Sequence, residues 1–500
     1  METRPDVVVV GAGIAGLTAA ALLAQEGLAV QLLEAHQQSG GCAGTFRRGP
    51  YTFDVGATQV AGLEPGGSHQ RLLAHFGLPL PQATPLDPVC VVDLADGLPP
   101  VRIWRDPAHW ASEREQQFPG SSRFWQLCAS LHEANWSFAS RDPVLPPRSL
   151  WDLGKLLPAL RPANLASGLL TAASVADLLT LTGCGGDPRL RRFLDLQLRL
   201  YSQEPAERTA ALYGATVLAM GQAPLGLWHL QGSMQVLSQQ LEQALAAAGG
   251  QLRRRHRVSA LQRSAEGWRL QIERQEFSLN ATDVVLAIPV QSLPDLLGKQ
   301  LPAGYRNRLK GLNDPSGALV FYGAVKRELL PTNCPGHIQL DWADPGSLFV
   351  SVSHEGDGRA PAGQATVIAS VFTPAKPWFE LEAPSYDQAK ADAMAALQRG
   401  LESLLGITSK QWLHAELATP RGFERWTGRP FGFVGGLGQN PSSFGPFGLA
   451  SRTPLPGLWL CGDSIHPGEG TAAVGLSALM ACRQLLAERG QTLSITSPNT

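Results

Sequence analysis

The start of the chain constrains the fold most, because an apolar strand, a glycine-rich turn, a helix and a second strand follow one another there. Val7–Val10 is a run of four valines, which is typical of a strand buried in a parallel sheet. Gly11–Gly16 has the sequence GAGIAG, and the alanine- and leucine-rich Leu17–Gln25 predicts a helix. Leu28–Leu33 predicts the second strand, which ends at Glu34. This order predicts an α/β fold with a Rossmann-like sheet.

Each glycine of this GxGxxG pattern has a separate task in binding a dinucleotide. Gly11 permits the tight turn, Gly13 lets the backbone approach a pyrophosphate, and Gly16 lets the helix pack on the strand. The helix N-terminus offers unpaired N–H groups to the phosphates, and Glu34 stands where a carboxylate accepts hydrogen bonds from a ribose. The alternative, a buried glycine-rich helix hairpin, gives Glu34 no task. The predicted contacts are Gly11, Gly13, Ile14, Ala15, Gly16, Glu34 and Ala35.

A second glycine-rich loop indicates which dinucleotide is bound. Ser39–Phe46 has the sequence SGGCAGTF, and Tyr51–Gly56 follows it as YTFDVG. These loops provide further backbone N–H groups beyond the acidic residue, which suits the longer FAD better than a nicotinamide dinucleotide. FAD is therefore the predicted cofactor. The predicted contacts here are Gly41, Cys42, Gly56, Ala57 and Thr58.

The C-terminal part of the chain repeats the arrangement of strand, glycine loop and helix. Gly457–Asp463 predicts a short strand that ends in Gly-Asp, and a helix is predicted from about Thr471 to Glu488. In flavoproteins of this architecture, Asp463 would bind the ribityl chain and the helix start would face the pyrimidine end of the flavin. Asp463 as an ordinary turn residue is the alternative. The predicted contacts are Gly462, Asp463, Gly470, Thr471 and Ala472.

The middle of the chain predicts further elements of the same sheet. Gly232–Leu237 leads into a helix that reaches about Ala248, a strand continues through Val258, and Thr282–Pro289 is another strand. Val258 is a predicted cofactor contact, and the basic run Arg253–Arg257 is interpreted as a solvated strand face. The predicted FAD-binding domain is thus discontinuous, with residues 1–75, 225–290 and 430–500. Residues 76–224 are predicted as a helical lid and 291–429 as a mixed α+β substrate domain.

Charge and cysteine usage exclude several classes of protein. The 41 basic and 42 acidic residues give a net charge of −1, whereas a nucleic-acid binder needs a basic excess. The seven cysteines are widely spaced and contain no Cys-x-x-Cys, so neither a disulfide framework nor a metal site is predicted. A reducing cytoplasm is the simplest compartment.

A tryptophan-rich segment before a leucine-rich one raises the question of membrane contact. Five of the 12 tryptophans lie between Trp104 and Trp151, and the leucine-rich stretch Leu150–Leu181 follows directly. Polar residues and prolines interrupt that stretch, so it is predicted to lie on a bilayer and not to span one. The predicted location is cytoplasmic and peripheral on a thylakoid or plasma membrane. An aromatic core of the second domain is the alternative.

The chain resembles the FAD-dependent carotenoid desaturase and isomerase family over nearly its full length. That family belongs to a larger group with amine oxidases and phytoene desaturases. The phrases at Tyr51–Gly67, Arg141–Arg148 and Gly462–Thr471 look like those of cyanobacterial-type C-3′,4′ desaturases, which act on carotenoids with ψ end groups. The resemblance implies an FAD-dependent oxidoreductase with a carotenoid substrate, and with a quinone or oxygen as acceptor. The alternatives are a carotene cis–trans isomerase, an amine oxidase and a lipid carrier without catalysis.

Desaturation removes a hydride and a proton, so a base is expected beside the flavin. Glu469 and His466 are the predicted catalytic residues, and Arg429 and Glu424 are weaker candidates. Bacterial phytoene desaturases usually have Pro-Gly-x-Gly followed by an Ile/Val-Pro-Gly-Val run. Here Glu469 occupies the variable position, and Thr471–Gly475 replaces that run, which is a departure from their pattern. An acid that complements the helix dipole is the alternative role for Glu469.

Overall fold

A computed structural model describes residues 4–275, 278–343 and 346–495, so the outermost residues of the predicted FAD-binding segments, 1–3 and 496–500, lie outside it. The strands are β1 (Val7–Val10), β2 (Val30–Leu33), β3 (Thr45–Arg48), β4 (Tyr51–Asp54), β5 (Ala83–Pro85), β6 (Cys90–Asp93), β7 (Val101–Ile103), β8 (Trp228–Leu230), β9 (Gln251–Arg253), β10 (Val258–Ser264), β11 (Gly267–Ile272), β12 (Ser278–Ala281), β13 (Asp283–Leu286), β14 (Gly317–Lys326), β15 (His337–Leu340), β16 (Leu348–Val352), β17 (Gln364–Thr373), β18 (His414–Ala418) and β19 (Leu458–Leu460). The helices are α1 (Ile14–Gln25), α2 (Ser68–His75), α3 (Pro107–Gln117), α4 (Ser122–Ala139), α5 (Leu150–Ala159), α6 (Pro162–Gly168), α7 (Val175–Leu181), α8 (Pro188–Ser202), α9 (Ala211–Ala219), α10 (Gln235–Ala247), α11 (Leu293–Leu297), α12 (Ala303–Lys310), α13 (Pro377–Glu380), α14 (Ala383–Leu405), α15 (Pro420–Thr427) and α16 (Thr471–Glu488).

The first sheet has the strand order β19-β13-β1-β2-β9, and all its pairs are parallel. The four valines of β1 lie at its centre, where Val7, Val8 and Val9 are fully buried. Helices α1, α10 and α16 pack on one face of the sheet through an apolar cluster that includes Leu17 and Leu241. The N-terminal, middle and C-terminal parts of the chain each contribute strands. The predicted Rossmann-like sheet from discontinuous segments is therefore confirmed.

Several predicted boundaries in and around this sheet were wrong. The strand predicted over Thr282–Pro289 ends at Leu286, and the strand predicted over Gly457–Asp463 ends at Leu460. Helix α1 begins at Ile14 and not at Leu17, because Gly13 has extended dihedral angles and already acts as the residue before the helix. Strand β2 begins at Val30 and not at Leu28, since Gly27 at φ 86° ends the preceding turn. The strand predicted to continue through Val258 divides into β9, which ends at Arg253, and β10, which begins at Val258.

The chain leaves the first sheet after β9 ends at Arg253, and Val258 begins β10 of a separate antiparallel sheet. Arg255 has a φ of 60°, in the left-handed region, so the strand cannot continue through it. The His256 N–H donates to the Glu34 carbonyl at 2.7 Å, which folds this turn over the end of β2. The basic run is therefore a turn beside Glu34 and not a strand face.

The second sheet has the order β18-β14-β17-β16-β15-β6-β7. Its pairs are antiparallel except for β15 and β6, which run parallel. One face packs on α14 through a cluster that includes Phe321, Val350 and Leu397. Strands β6 and β7 come from the segment predicted as a helical lid, so that segment also completes this sheet. The predicted domain limits stay predictions.

Helices α3, α4, α7, α8 and α9 form a third layer around a separate apolar cluster. Trp110 and Trp125 are buried in that cluster at 3% and 6% exposure, and Trp104 packs against it. Trp151 is half-buried, which leaves Trp136 as the exposed member of the tryptophan-rich segment, at 40%. The aromatic-core alternative thus holds for most of these tryptophans. Across the described ranges, no helix combines the length and the apolar character that crossing a membrane requires.

Candidate functional site

One cavity of about 1340 Å³ joins the ends of the first-sheet strands to the second sheet and the helical layer. Val10, Leu33, Ala287 and Cys461 line it, and each lies at or just beyond the carboxyl end of a parallel strand. Ligands of open α/β sheets bind at this edge. Sites for one small ligand usually measure about 300–1,000 Å³, so this cavity has room for more than one.

Most of the predicted site residues meet in this cavity, although the chain separates them by up to about 460 positions. Gly16 is the exception, because it lies beneath the turn and packs against the Gly11 carbonyl and Ala287. The predicted residues that line the cavity are Gly11, Gly13, Ile14, Ala15, Glu34, Ala35, Gly41, Cys42, Gly56, Ala57, Thr58, Val258, Gly462, Asp463, His466, Glu469, Gly470, Thr471 and Ala472. Their individual roles in binding stay predictions.

The turn at Gly11–Gly16 has the shape that a pyrophosphate needs. A Cβ atom at Gly16 would lie 1.8 Å from the Gly11 carbonyl oxygen, so no side chain fits there. A Cβ atom at Gly13 would meet no atom of the described residues within 4 Å, because Gly13 faces the cavity. The α1 N-terminus follows directly, and its free N–H groups suit phosphate oxygens. The turn therefore leaves an open cradle at Gly13.

Glu34 is held firmly at the end of β2. One carboxylate oxygen accepts the Ala12 N–H at 2.7 Å and the other accepts the His36 N–H at 2.7 Å. Burial raises the pKa of Glu34, while these two N–H donors act in the opposite direction. Each carboxylate oxygen keeps a second lone pair, and the residue lines the cavity. Glu34 can therefore accept hydrogen bonds from ribose hydroxyls, so the residues fit the predicted FAD at this end.

Asp463 forms an ion pair with Arg429 at the C-terminal half of the site. The guanidinium Nη1 lies 2.9 Å from the Asp463 carboxylate, and its Nε donates to the Phe433 carbonyl at 2.7 Å. A further N–H of Arg429 donates to the Gly435 carbonyl. The Asp463 charge raises the pKa of Arg429 despite its burial, so this side chain stays protonated. Arg429 cannot serve as a base, and the structure assigns it to holding Asp463.

Glu469 lies beside this ion pair and accepts a hydrogen bond from Gln203. The Gln203 Nε2 atom is 2.5 Å from the Glu469 carboxylate, which lines the cavity. Burial, followed by the negative charge of Asp463, raises the pKa of Glu469 to about 8. This pKa is lowered in part by hydrogen bonds from the Gln203 amide and the Gly436 N–H and by the positive charge of Arg429. A carboxyl group with this pKa can exchange a proton near neutral pH.

His466 and Glu424 are less suited to proton transfer. Burial lowers the pKa of His466 to about 4, so its ring is neutral at physiological pH. Its ring packs against Phe444 with the centroids 5.8 Å apart. Glu424 lines the cavity, but one of its carboxylate oxygens accepts the Phe431 N–H at 3.1 Å. Among the four predicted candidates, Glu469 has the most suitable environment for a base.

Gln203 is a functional residue that the sequence pattern did not indicate. It follows the last residue of α8 and has a φ of 61°, in the left-handed region. Its carbonyl oxygen Oε1 accepts the Ser316 N–H at 2.8 Å, and its amide also donates to the Gly436 carbonyl at 3.1 Å. Gln203 thereby fixes Glu469 to a glycine loop from another part of the chain. No motif surrounds it, so only the tertiary fold identifies it.

Comparison with known proteins identifies the family whose members this chain resembles. The model of the family described as "Flavin containing amine oxidoreductase" matches residues 14–486. Prolycopene isomerase, chloroplastic, from Arabidopsis thaliana is 27% identical over 98% of this chain and 84% of its own length. Hydroxyneurosporene desaturase from Cereibacter sphaeroides is 26% identical over 97% of this chain and 98% of its own length. A solved structure of putrescine oxidase is 19% identical to this chain in sequence and superposes on it with a TM-score of 0.65. The match covers 98% of this chain and all of that one, which shows that the two share a fold.

Proposed function

The chain belongs to the flavin containing amine oxidoreductase family and is an FAD-dependent oxidoreductase of the carotenoid desaturase and isomerase type, and on that premise we propose that it desaturates a carotenoid. The proposed reaction forms a C=C bond at C-3′,4′ of an acyclic ψ end group. The observation that carries it is the Glu469 carboxyl, which Gln203 holds where the predicted cofactor loops meet a cavity of about 1340 Å³.

The wall of this cavity beyond the predicted FAD contacts is mainly apolar, which suits a polyene hydrocarbon. At about 25 cal/mol per Å² of apolar surface buried, a few hundred Å² would contribute several kcal/mol to binding. Polyene substrates carry few polar groups, so the shape and the apolar area of the cavity must provide the affinity. Members of this wall are Phe138, Leu145, Leu156, Leu160, Leu196, Leu200, Val217, Met220, Leu227, Phe349 and Phe444.

Glu469 has the task of taking the proton in the proposed reaction. FAD, when bound, would supply the acceptor for the hydride that leaves the carotenoid. The ionised Glu469 carboxylate accepts the proton from the adjacent carbon, and the remaining electron pair forms the new C=C bond. Gln203 orients the carboxylate, and Arg429 holds Asp463 in place beside it. The quinone or oxygen that reoxidises the cofactor stays a prediction.

The second candidate function is carotene cis–trans isomerisation. The similarity to prolycopene isomerase, 27% identical over 98% of this chain and 84% of that protein, favours it. Isomerisation leaves the mass of the carotenoid unchanged, whereas desaturation lowers it by two hydrogens. Mass therefore separates the two functions.

We expect the chain, expressed in a host that accumulates acyclic carotenoids, to produce pigments two hydrogens lighter than those of the host alone. Liquid chromatography with mass detection measures this difference, and the Glu469→Gln variant serves as the matched control. New cis–trans isomers of unchanged mass would favour the second candidate. Pigments identical to the host's in both mass and retention time would contradict both.

We also propose that the mouth of the cavity docks on a membrane as a peripheral contact, on the cytoplasmic side of a thylakoid or plasma membrane. Leu150, Leu153 and Leu157 recur at helical spacing on α5 and are exposed at 87%, 40% and 62%. Leu156 and Leu160 of the same segment line the cavity. Leu165 and Leu169 extend the exposed apolar surface at 64% and 86%, and Trp136 both lines the cavity and is exposed. A carotenoid could pass from a bilayer into the cavity at this position.

The double substitution L153S/L157S is expected to weaken binding to liposomes by about 100-fold, since burying each leucine is worth about 1.5–3 kcal/mol. Flotation of the protein with liposomes measures the binding, and activity in detergent micelles should persist. Leu413→Ser is the matched control, because Leu413 is 47% exposed and directly precedes strand β18 of the second sheet. Equal flotation of the double variant and the wild type would contradict the docking surface.

A further inference from the structure

Residues 140–170, which carry most of the exposed leucines at the cavity mouth, present more positive charge than their composition indicates. Both acids of this segment are neutralised by arginines from distant parts of the chain. Asp142 forms an ion pair with Arg71 at 2.8 Å, and the fully buried Asp152 lies 3.6 Å from Arg452. The bases of the segment form no ion pair with the described residues, and they are Arg141, Arg148, Lys155 and Arg161. This face is therefore basic, although the whole chain has a net charge of −1.

Arg148 differs from the other three bases because its guanidinium makes no internal contact. Arg141 and Arg161 each donate to backbone carbonyl oxygens, at 2.7 Å and 3.1 Å. The Lys155 ammonium lies 5.2 Å from the centre of the Trp151 ring. The side chain of Arg148 is exposed and has no hydrogen bond, ion pair or ring contact within the described ranges. All five of its N–H donors are thus free to bind a ligand.

Tyr305 and Arg308 of helix α12 lie beside Arg148. Burial raises the pKa of Tyr305 to about 12, and the charges of Arg308 and Arg148 act in the opposite direction, so the three side chains are neighbours. The Tyr305 hydroxyl is buried and has no hydrogen-bond partner among the described residues. The Arg308 Nη2 atom donates to the carbonyl oxygens of Phe447 and Gly448 at 2.8 Å and 2.7 Å, and no described acid pairs with it. Two guanidinium groups and an unpaired hydroxyl therefore lie together without a counterion, which is the donor set of an anion site.

This anion site borders both the cavity mouth and the exposed apolar surface. Leu145 lines the cavity three residues before Arg148, and Pro446 lines it directly before Phe447. Phe447 is 49% exposed, and Leu150, two residues after Arg148, is 87% exposed. Apolar side chains enter the acyl region of a bilayer while neighbouring arginines stay at the level of the headgroups. Docking of this surface would thus bring the two arginines to the lipid phosphates.

We infer that Arg148, Arg308 and Tyr305 bind the phosphate of an anionic phospholipid. Guanidinium groups bind phosphate oxygens through paired N–H donors, and the Tyr305 hydroxyl donates to a further oxygen. The positive charge of the site favours a headgroup with net negative charge over one that is neutral overall. The inference rests on the proposed docking of the cavity mouth and adds the lipid class to it. A headgroup bound here fixes the orientation of the mouth on the bilayer surface.

The test is flotation of the full-length protein with two kinds of liposome, one of phosphatidylcholine alone and one that also contains phosphatidylglycerol. We expect the wild type to bind the anionic liposomes about 30-fold more tightly, since each arginine at a membrane surface contributes about fivefold. The double substitution R148Q/R308Q should remove this preference and leave binding to the neutral liposomes nearly unchanged. Tyr305→Phe keeps every charge and should weaken binding to the anionic liposomes about fivefold, because one hydrogen bond is lost.

The matched control is R399Q/K410Q, which removes the same charge from another surface and should retain the preference. These two exposed bases lie on and just after α14, which packs on the face of the second sheet turned away from the cavity. Melting temperature reports folding. If R148Q/R308Q does not fold, Arg148→Gln decides the outcome with an expected loss of about fivefold, since that side chain makes no internal contact.

Three results would overturn the inference. They are equal binding of the wild type to both liposomes, an undiminished preference in the arginine variants, and wild-type affinity of Tyr305→Phe for anionic liposomes, which would indicate diffuse attraction. A wild type that is stabilised by inorganic phosphate but has no preference among liposomes would assign the site to a soluble anion. Equal binding to both liposomes that is lost in L153S/L157S would leave the docking proposal intact. A preference that persists in L153S/L157S and is lost in R148Q/R308Q would contradict the leucine surface alone, so the two failures are distinguishable.

Discussion

Replacing Gly13 with alanine is expected to weaken FAD binding by about 10- to 100-fold and to leave the stability of the apoprotein nearly unchanged. Gly13 has a φ of −70°, which alanine adopts without strain, and the added methyl group meets no described atom within 4 Å. The methyl group instead fills the cradle at the α1 N-terminus. Forcing a methyl group into an occupied space costs about 1–3 kcal/mol, which gives this loss of affinity.

Gly16→Ala provides the contrast, because its methyl group would lie 1.8 Å from the Gly11 carbonyl oxygen. That contact must displace the turn or the helix, so this variant should lower both the apoprotein melting temperature and the bound flavin. Titration of each apoprotein with FAD, followed by flavin fluorescence, measures affinity, and thermal unfolding measures stability. Equal FAD affinity in the Gly13 variant and the wild type would contradict the assignment of the pyrophosphate to this turn.

The contrast between these glycines illustrates what the sequence could predict. Short runs of residues predicted the GxGxxG unit, strand β19 and the limits of α16. The hydrophobicity and glycine spacing of such runs reflect local geometry alone. A strand buried on both faces must be continuously apolar, and a turn with a positive φ favours glycine. Such features act over a few residues, so the sequence shows them directly.

Interactions between distant segments explain the errors and omissions. The run after Arg253 resembles a continuing strand, but Arg255 adopts a left-handed conformation because the chain turns to cover Glu34. Asp54 forms a buried ion pair with Arg359 at 3.0 Å, across 305 positions, and no spacing rule connects the two. Gln203 gains its role in the same way, from contacts with residues 316, 436 and 469.

Replacing Glu469 with glutamine is expected to lower turnover by at least about 100-fold, which is the usual contribution of a general base. The glutamine has almost the same shape, and its carbonyl oxygen can still accept from Gln203. FAD content should therefore remain that of the wild type. Glu424→Gln is the matched control, because it neutralises another carboxyl that lines the same cavity, and it should stay active.

The pH dependence makes this prediction specific to the proton on Glu469. Its pKa is raised to about 8, so only about a tenth of the carboxyl groups are ionised at pH 7, and the rate should rise with pH until about pH 9. The profile of the Glu469→Gln variant should lack that rise. The pKa of Glu469 is higher in the folded state than in the unfolded state. Its contribution to the free energy of unfolding is therefore complete below about pH 4.5 and is lost as pH rises through about 8. Chemical unfolding of the apoprotein at pH 5 and pH 9 should show a smaller loss of stability in the variant than in the wild type. A rate that stays flat across this range in the wild type would show that another group takes the proton.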